Sequence, residues 1–229
     1  MNNVAIIPAR GGSKRIPNKN IKLFLGKPII SYPIKIALES NLFKRVIVST
    51  DSEEIAEIAI KYGAEVPFLR SSKNSDDYAT TNDVLKEVLA NLDSDFDKFC
   101  CIYPTSPLLD VRSLELGLKK LTDENFDTVF PVVSFSYPIL RSLKIDDKGK
   151  AEMNWPEYKN SRSQDLPKAY HDSGMFYWAK TLDFLASGSL WTSNTGVIEL
   201  PESKVQDIDT LSDWSIAELK YKLLHNENI

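Results

Sequence analysis

Residues 8 to 20, PARGGSKRIPNKN, hold two adjacent glycines, four basic side chains and two prolines, and no carboxylate. Glycines let a backbone approach a ligand closely, and exposed peptide N–H groups can then point at anionic oxygens. Arg10, Lys14, Arg15 and Lys19 add positive charge around Gly11 and Gly12, a combination suited to a triphosphate. Neither the GxxxxGK[S/T] loop nor the GxGxxG fingerprint is present, and for Gly-Gly with lysines alone a solvated surface turn is about as good a reading. Near the other end of the chain Asp207 and Asp209 flank Ile208. Alternate residues of an extended segment project to the same side, so these carboxylates can converge on one hard cation. On spacing alone, Asp-x-Asp is more often a solvated or helix-capping pair.

The elements that must position these groups follow a regular order. VAIIPA, residues 4 to 9, reads as a buried strand that ends at the glycine loop. A helix is expected over 28 to 40, delayed or kinked at Pro33, then a strand at 45 to 50 and a helix capped by Asp51 or Ser52 that runs through Tyr62 to Gly63. The alternation continues with a strand at 65 to 69, a helix at 81 to 92, a strand at 98 to 103, a helix at 110 to 122 and a strand at 127 to 133. Residues 134 to 172 break this rhythm with short β-like pieces, ILRSLKI and AEMNW, and are too long for a plain loop. GMFYWA and NTGVIEL then resume the sheet, and a last helix is expected at 211 to 224. Strand and helix alternating in this way predict a mostly parallel sheet with helices on both faces. Ligands of such sheets sit beyond the carboxyl ends of the strands, where the glycine loop lies.

Composition narrows the possibilities. The 229 residues are 42% hydrophobic and 26% charged, ordinary globular usage that supports a sizeable core. No apolar run approaches the length of a membrane span, and no basic segment followed by an apolar stretch marks an export signal, so a cytoplasmic location is expected. Cys100 and Cys101, the only cysteines, are adjacent in a strand-like run that would point them to opposite faces, which suits a reducing compartment. Two scattered histidines give no zinc pattern, so any metal should be held by carboxylates. Residues 1 to 38 carry seven basic side chains and no acid, which leaves −11 for the remainder of a chain whose net charge is −4. That balance argues against a nucleic-acid-binding face and for a small polyanion at the basic patch.

The run IIPARGGSKRIPNKN resembles the signature of the CMP-sugar-acid synthetases, the cytidylyltransferases that activate sialic, legionaminic and pseudaminic acids. GKPIISYPIKIALES, VIVSTDSEEIAEIAIKYGAEVPFLR, SDDYATT, YPTSPLL and DIDTLSDW follow in the family's order. The resemblance spans nearly the whole chain and is weakest over 134 to 172. Within the family, SKRIPNKN, HDSGMFYW and the DIDTLSDWSIAELKYK ending most resemble the bacterial pseudaminic acid enzymes, with the sialic acid enzymes close behind.

The resemblance implies a Rossmann-like three-layer α/β sandwich of the nucleotidyltransferase type, one domain over 1–229 with a small inserted lid or dimerisation segment at about 134–172. It implies transfer of CMP from CTP to the anomeric hydroxyl of a nine-carbon 2-keto sugar acid with release of pyrophosphate. It places Ala9, Arg10, Gly11, Gly12, Ser13, Lys14, Lys19, Asn20, Arg70, Ala79 and Thr81 around the nucleotide. Lys19, Arg10 and Asp209 would act on the reacting phosphates, and Asp207 and Asp209 would bind Mg2+. Arg141, Arg162, Lys168 and Tyr177 would meet the acceptor, arginine being suited to its carboxylate. Relatives are homodimers joined through the inserted segment, so a homodimer is expected.

Other readings of the same residues stand beside these. Arg70 could instead pair with Asp76 or Asp77, Thr80 or Thr81 could only cap a helix, and Tyr177 could be core. His171 beside Asp172 suggests an acid–base pair, but neighbours on a strand face opposite ways and structural roles are expected. Tyr103 and Leu109 depart from the sialic acid pattern, which has Gln and Arg there, and put contacts to sugar or base at those points in doubt. A catalytically silent nucleotide sensor is the alternative of a different class; the intact Arg10, Lys19, Asp207 and Asp209 weigh against it.

Overall fold

The computed structural model describes residues 2–76, 78–93 and 95–226. In chain order its elements are β1 (Asn3–Pro8), β2 (Leu23–Phe24), β3 (Lys27–Pro28), α1 (Ser31–Glu39), β4 (Arg45–Ser49), α2 (Glu53–Lys61), α3 (Thr81–Asn91), β5 (Lys98–Ile102), α4 (Val111–Asp123) and β6 (Thr128–Ser134). There follow β7 (Leu143–Ile145), β8 (Ala151–Met153), β9 (Tyr170–Asp172), β10 (Phe176–Lys180), α5 (Thr181–Ser187), β11 (Thr195–Glu199) and α6 (Leu211–Leu224). The main sheet runs β11-β6-β10-β5-β1-β4, with β9 added on β6. β1 lies parallel to β4 and β5, and β11 lies parallel to β6. β10 is antiparallel to both of its neighbours and the short β9 is antiparallel to β6, so the sheet is mostly parallel with two reversed strands, one of them in its middle.

β1 is apolar from Val4 to Pro8 because both its faces are covered. Ala5 and Ile7 feed one core with Ile34, Ile55, Ala59 and Leu114, from α1, α2 and α4. Val4 and Ile6 feed the opposite core with Val84, Leu85 and Phe184, from α3 and α5. This is the three-layer arrangement that the alternation predicts. Cys100 falls in the first core and Cys101 in the second, both unpaired, as strand geometry requires. A third cluster joins Ile16, Phe24 and Ile29 to Ile208, Trp214 and Ala217, and so clamps the end of the glycine loop against the start of α6.

Helix starts follow their caps. The Ser52 side chain accepts from Ile55 N, and Thr80 and Thr210 each form a capping box, with Asp83 and Asp213 respectively. α1 begins only at Ser31 because Lys27 and Pro28 are taken up by a two-stranded hairpin, and Pro33 is accommodated in the first turn. The predicted strand at 65–69 does not form: Glu65 makes one isolated bridge to Ile47, and the chain then leaves the sheet. Residues 139–172 contain the exposed hairpin β7–β8, three single 3-10 turns and β9, which returns to β6 with Val132 opposite Asp172.

Candidate active site

A cleft of about 590 Å3 opens at the carboxyl ends of β1 and β5. Arg10, Ser13, Lys14, Lys19, Asn20, Arg70, Ala79 and Thr81, eight of the residues assigned to a nucleotide, line this one cleft. Arg15, Tyr103, Pro104 and Thr105 line it as well.

The glycine loop is held from beneath. Ala9 is fully buried and donates its N–H to Ser49 O at 2.8 Å, so it anchors the loop and does not line the cleft. The buried Asn20 side chain donates to Arg10 O at 2.9 Å and closes the loop on itself. The Gly11 N–H donates to Asp51 Oδ1 at 2.8 Å, so this amide is committed within the protein and is not an open phosphate donor as its glycine suggests. A Cβ at Gly11 would stand 3.2 Å from Ser52 Cβ, a tight contact to which Ser52 would have to yield by a few tenths of an ångström; at Gly12 a Cβ would meet nothing within 4 Å.

Arg70 is buried, and its guanidinium donates to Ser49 Oγ at 3.1 Å and to Ser49 O. Burial pulls its pKa down, while the charges of Asp51 and Glu87 oppose that shift. The alternative pairing of Arg70 with Asp76 does not occur. Asp76 Oδ1 instead accepts from the N–H groups of Tyr78 and Ala79 at 2.9 and 2.8 Å, and its carbonyl accepts from Arg10 at 3.2 Å. Asp77, the other acid considered, lies outside the described residues. Capping of α3 falls to Thr80, which leaves the Thr81 hydroxyl facing the cleft 3.4 Å from the Tyr103 hydroxyl.

The aspartates come to this site from the far end of the chain. Lys19 Nζ donates to Ile208 O at 2.7 Å and stands 3.8 Å from Asp209 Oδ1, while Arg15 lies 2.5 Å from Asp209 Oδ2. Burial lowers the Lys19 pKa, with Asp209 opposing and Arg15 adding to the fall. The Asp207 carboxyl is raised, first by burial and then by the charge of Asp209, so the two carboxylates feel each other across Ile208. Among the described residues no group of three or more His, Cys, Asp or Glu side chains could by itself hold a metal. Two neighbouring carboxylates nevertheless fit Mg2+, which keeps several waters and takes one or two carboxylates together with substrate phosphates.

The residues expected at the acceptor are not gathered here. Arg141, Arg162, Lys168 and Tyr177 do not line the cleft. Arg141 donates to Ser163 Oγ at 3.2 Å, Arg162 pairs with Asp165 at 2.9 Å, and all three cations are exposed on the inserted segment. Tyr177 is buried in the core, and its hydroxyl donates to Asp172. Leu109 is core too, which removes it from any sugar contact, whereas Tyr103 does face the cleft. His171 Nδ1 lies 2.9 Å from the Asp172 carbonyl and not its carboxylate, so the two form no acid–base pair.

The sequence offers Asp51 only as a helix cap and gives Arg15 no role beyond charge. Asp51 had a signal in its place at the end of β4, beside β1, but so did Ser52, which took the cap.

The model of the family described as cytidylyltransferase matches residues 4–177. The pseudaminic acid cytidylyltransferase of Campylobacter jejuni is 43% identical over 228 residues, covering 98% of each chain. The CMP-N,N'-diacetyllegionaminic acid synthase of Legionella pneumophila is 35% identical over 231 residues, covering 94% of each chain. Among solved structures, a CMP:2-keto-3-deoxy-manno-octonic acid synthetase complexed with CTP superposes with a TM-score of 0.70 at 17% identity, covering 99% of this chain and all of that one. That likeness speaks to the fold alone.

Proposed function

The chain belongs to the cytidylyltransferase family, and from that premise we propose that it transfers CMP from CTP to the anomeric hydroxyl of pseudaminic acid, giving CMP-pseudaminic acid and pyrophosphate. One observation carries the mechanism: two cations of the basic loop that line the cleft, Arg15 and Lys19, are also tied to the Asp207–Asp209 segment, through Asp209 and Ile208 O. The full-length likeness to the Campylobacter jejuni enzyme supports the choice of acceptor.

In this reading the acceptor hydroxyl oxygen attacks the α-phosphorus, the bond from that phosphorus to the β-phosphate oxygen breaks, and the hydroxyl proton is released. Arg10, Lys14 and Lys19, with Ser13 and Asn20, hold the triphosphate and stabilise charge where it accumulates on departing pyrophosphate. Lys19 is best placed for that role because Ile208 O fixes its ammonium beside the aspartates. Arg70, Ala79 and Thr81 form the wall for the cytidine. Asp207 and Asp209 would hold Mg2+, which when bound supplies charge neutralisation at the phosphates.

The chain acts as one cytidylyltransferase domain, with residues 134 to 172 as the surface that meets a second copy. Exposed Tyr137, Leu143, Ile145 and Tyr170 there support a homodimer, which a monomeric mass by light scattering would rule out. In a dimer, Arg141, Arg162 and Lys168 would serve the acceptor of the other subunit. Among the described residues no helix is long and apolar enough to cross a membrane, and two buried unpaired cysteines suit the cytoplasm.

The test is pyrophosphate release from CTP and Mg2+ with pseudaminic, legionaminic and sialic acid in turn. Turnover only with another acid would overturn the acceptor, and none with any would overturn the activity. Asp209→Asn should abolish turnover yet keep weak CTP binding; wild type and variant that bind alike and are both silent would point to a nucleotide sensor.

A further inference from the structure

Arg15 differs from the other cations of the loop in what tethers it. Lys19 is fixed by a backbone carbonyl as well as by Asp209, whereas Arg15 is held by Asp209 Oδ2, at 2.5 Å, with a side chain that is 68% exposed. Both oxygens of Asp209 therefore face cations of the chain, Oδ1 at Lys19 and Oδ2 at Arg15. Asp207, on the other side of Ile208, is close enough to feel Asp209's charge. A divalent ion shared by the two aspartates would have to take an Asp209 oxygen that is already paired.

We propose that Arg15 is a placeholder: in the nucleotide-free protein its guanidinium occupies the Asp209 oxygen that a divalent cation would take, and it moves to the triphosphate when nucleotide and cation arrive together. This deepens the cytidylyltransferase reading and rests on its placement of phosphates and metal.

Three features favour the exchange. An ion pair this exposed is weak and salt-screened, so release costs little. Arg15 also lines the cleft with Arg10 and Lys14, so an entering phosphate comes within its reach, and a guanidinium binds phosphate with two parallel charge-assisted bonds. Lys19 remains where Ile208 O holds it, so departure of Arg15 does not dismantle the link between the two ends of the site. The consequence is an order of binding: bare cation is disfavoured at the aspartates until CTP draws the guanidinium away.

The test compares wild type with Arg15→Gln, whose exposed position makes misfolding improbable and whose melting curve checks that directly. Free Mn2+ is titrated by electron paramagnetic resonance without nucleotide, and CTP binding is measured by calorimetry with Mg2+ present. The variant should bind Mn2+ alone about threefold or more tightly, and CTP about tenfold more weakly, as expected for loss of one exposed ion pair and one charge-assisted phosphate contact. Unchanged or weaker Mn2+ binding, or unchanged CTP affinity, would overturn the placeholder. Failure of wild type to bind CTP at all would instead overturn the cytidylyltransferase site on which it rests.

Discussion

Replacing Lys19 with methionine removes the ammonium but keeps most of the side chain's length. The structure separates two consequences. Chemically, Lys19 Nζ is held at 2.7 Å from Ile208 O and 3.8 Å from Asp209, so it is a preorganised charge and not a mobile one. Loss of one such group costs about 10²- to 10³-fold in kcat, or ~2.7–4 kcal/mol of transition-state stabilisation. For folding, a hydrogen bond from a charged donor is worth ~1.5–3 kcal/mol. Part of that is offset, because burial lowers the Lys19 pKa and the charged form is therefore held at a cost. A net loss of ~1 kcal/mol corresponds to a fall in Tm of about 2–4 °C for a domain of this size. Steady-state pyrophosphate release at saturating CTP and acceptor, alongside calorimetry, measures both. A kcat within about tenfold of wild type would refute the charge argument. A Tm fall several times larger than expected would show that Lys19 acts mainly through the fold.

Further outcomes are expected at other positions. Asp207→Asn should lose turnover yet melt higher than wild type at pH 7 with chelator present: the folded carboxyl is raised, so its penalty appears as pH rises through the folded value and is absent at acid pH, where the two proteins should melt alike. Gly117→Ala would place a Cβ 2.9 Å from Trp178 and 3.0 Å from Phe176, and overpacking of this kind should cost ~1–3 kcal/mol in chemical denaturation. Asp110→Ala removes the cap on Ser113 N and the partner of Lys204 and should cost ~1–2 kcal/mol. Burial works against the Asp110 carboxylate, but its bonds to Lys204 and Ser113 win and hold the carboxyl below its usual range. Its contribution should therefore be intact above that range, and the difference between variant and wild type should shrink as pH falls through the lowered value.

Much of this site was legible because it is built from short segments directly after strands. The loop after β1 could be placed from order alone, since the ends of parallel strands converge on one edge, whereas only the family resemblance pointed to Arg70, Ala79 and Thr81. What escaped were properties that local pattern does not encode. GMFYWA reads as a strand, yet nothing in it says that β10 runs against its neighbours. EVPFL has strand composition, but only Glu65 finds a partner. The helix α5, Thr181–Ser187, is too short to show a period. Gly11 suggests a donor aimed at phosphate, whereas the fold brings Asp51 to that amide from 40 residues away. Arg141 and Arg162 have chemistry suited to a carboxylate, but their spacing could not reveal that their own chain keeps them off the cleft.

The placement of β10 has a consequence for how the protein is made. Among the described residues it is the only strand that joins β5 to β6, and it lies about 40 residues beyond β6 in sequence. While the chain emerges from the ribosome, β4-β1-β5 can assemble, but β6 has no partner there and β5 keeps a bare edge until residue 180 is out. Phe99, Cys100, Val129 and Phe130 stay unprotected for that interval, which is the kind of exposed strand edge that invites aggregation. The aspartates arrive later still, so, on the role proposed for Asp209, a polypeptide cut short of residue 209 would be inert even where most of its sheet had formed.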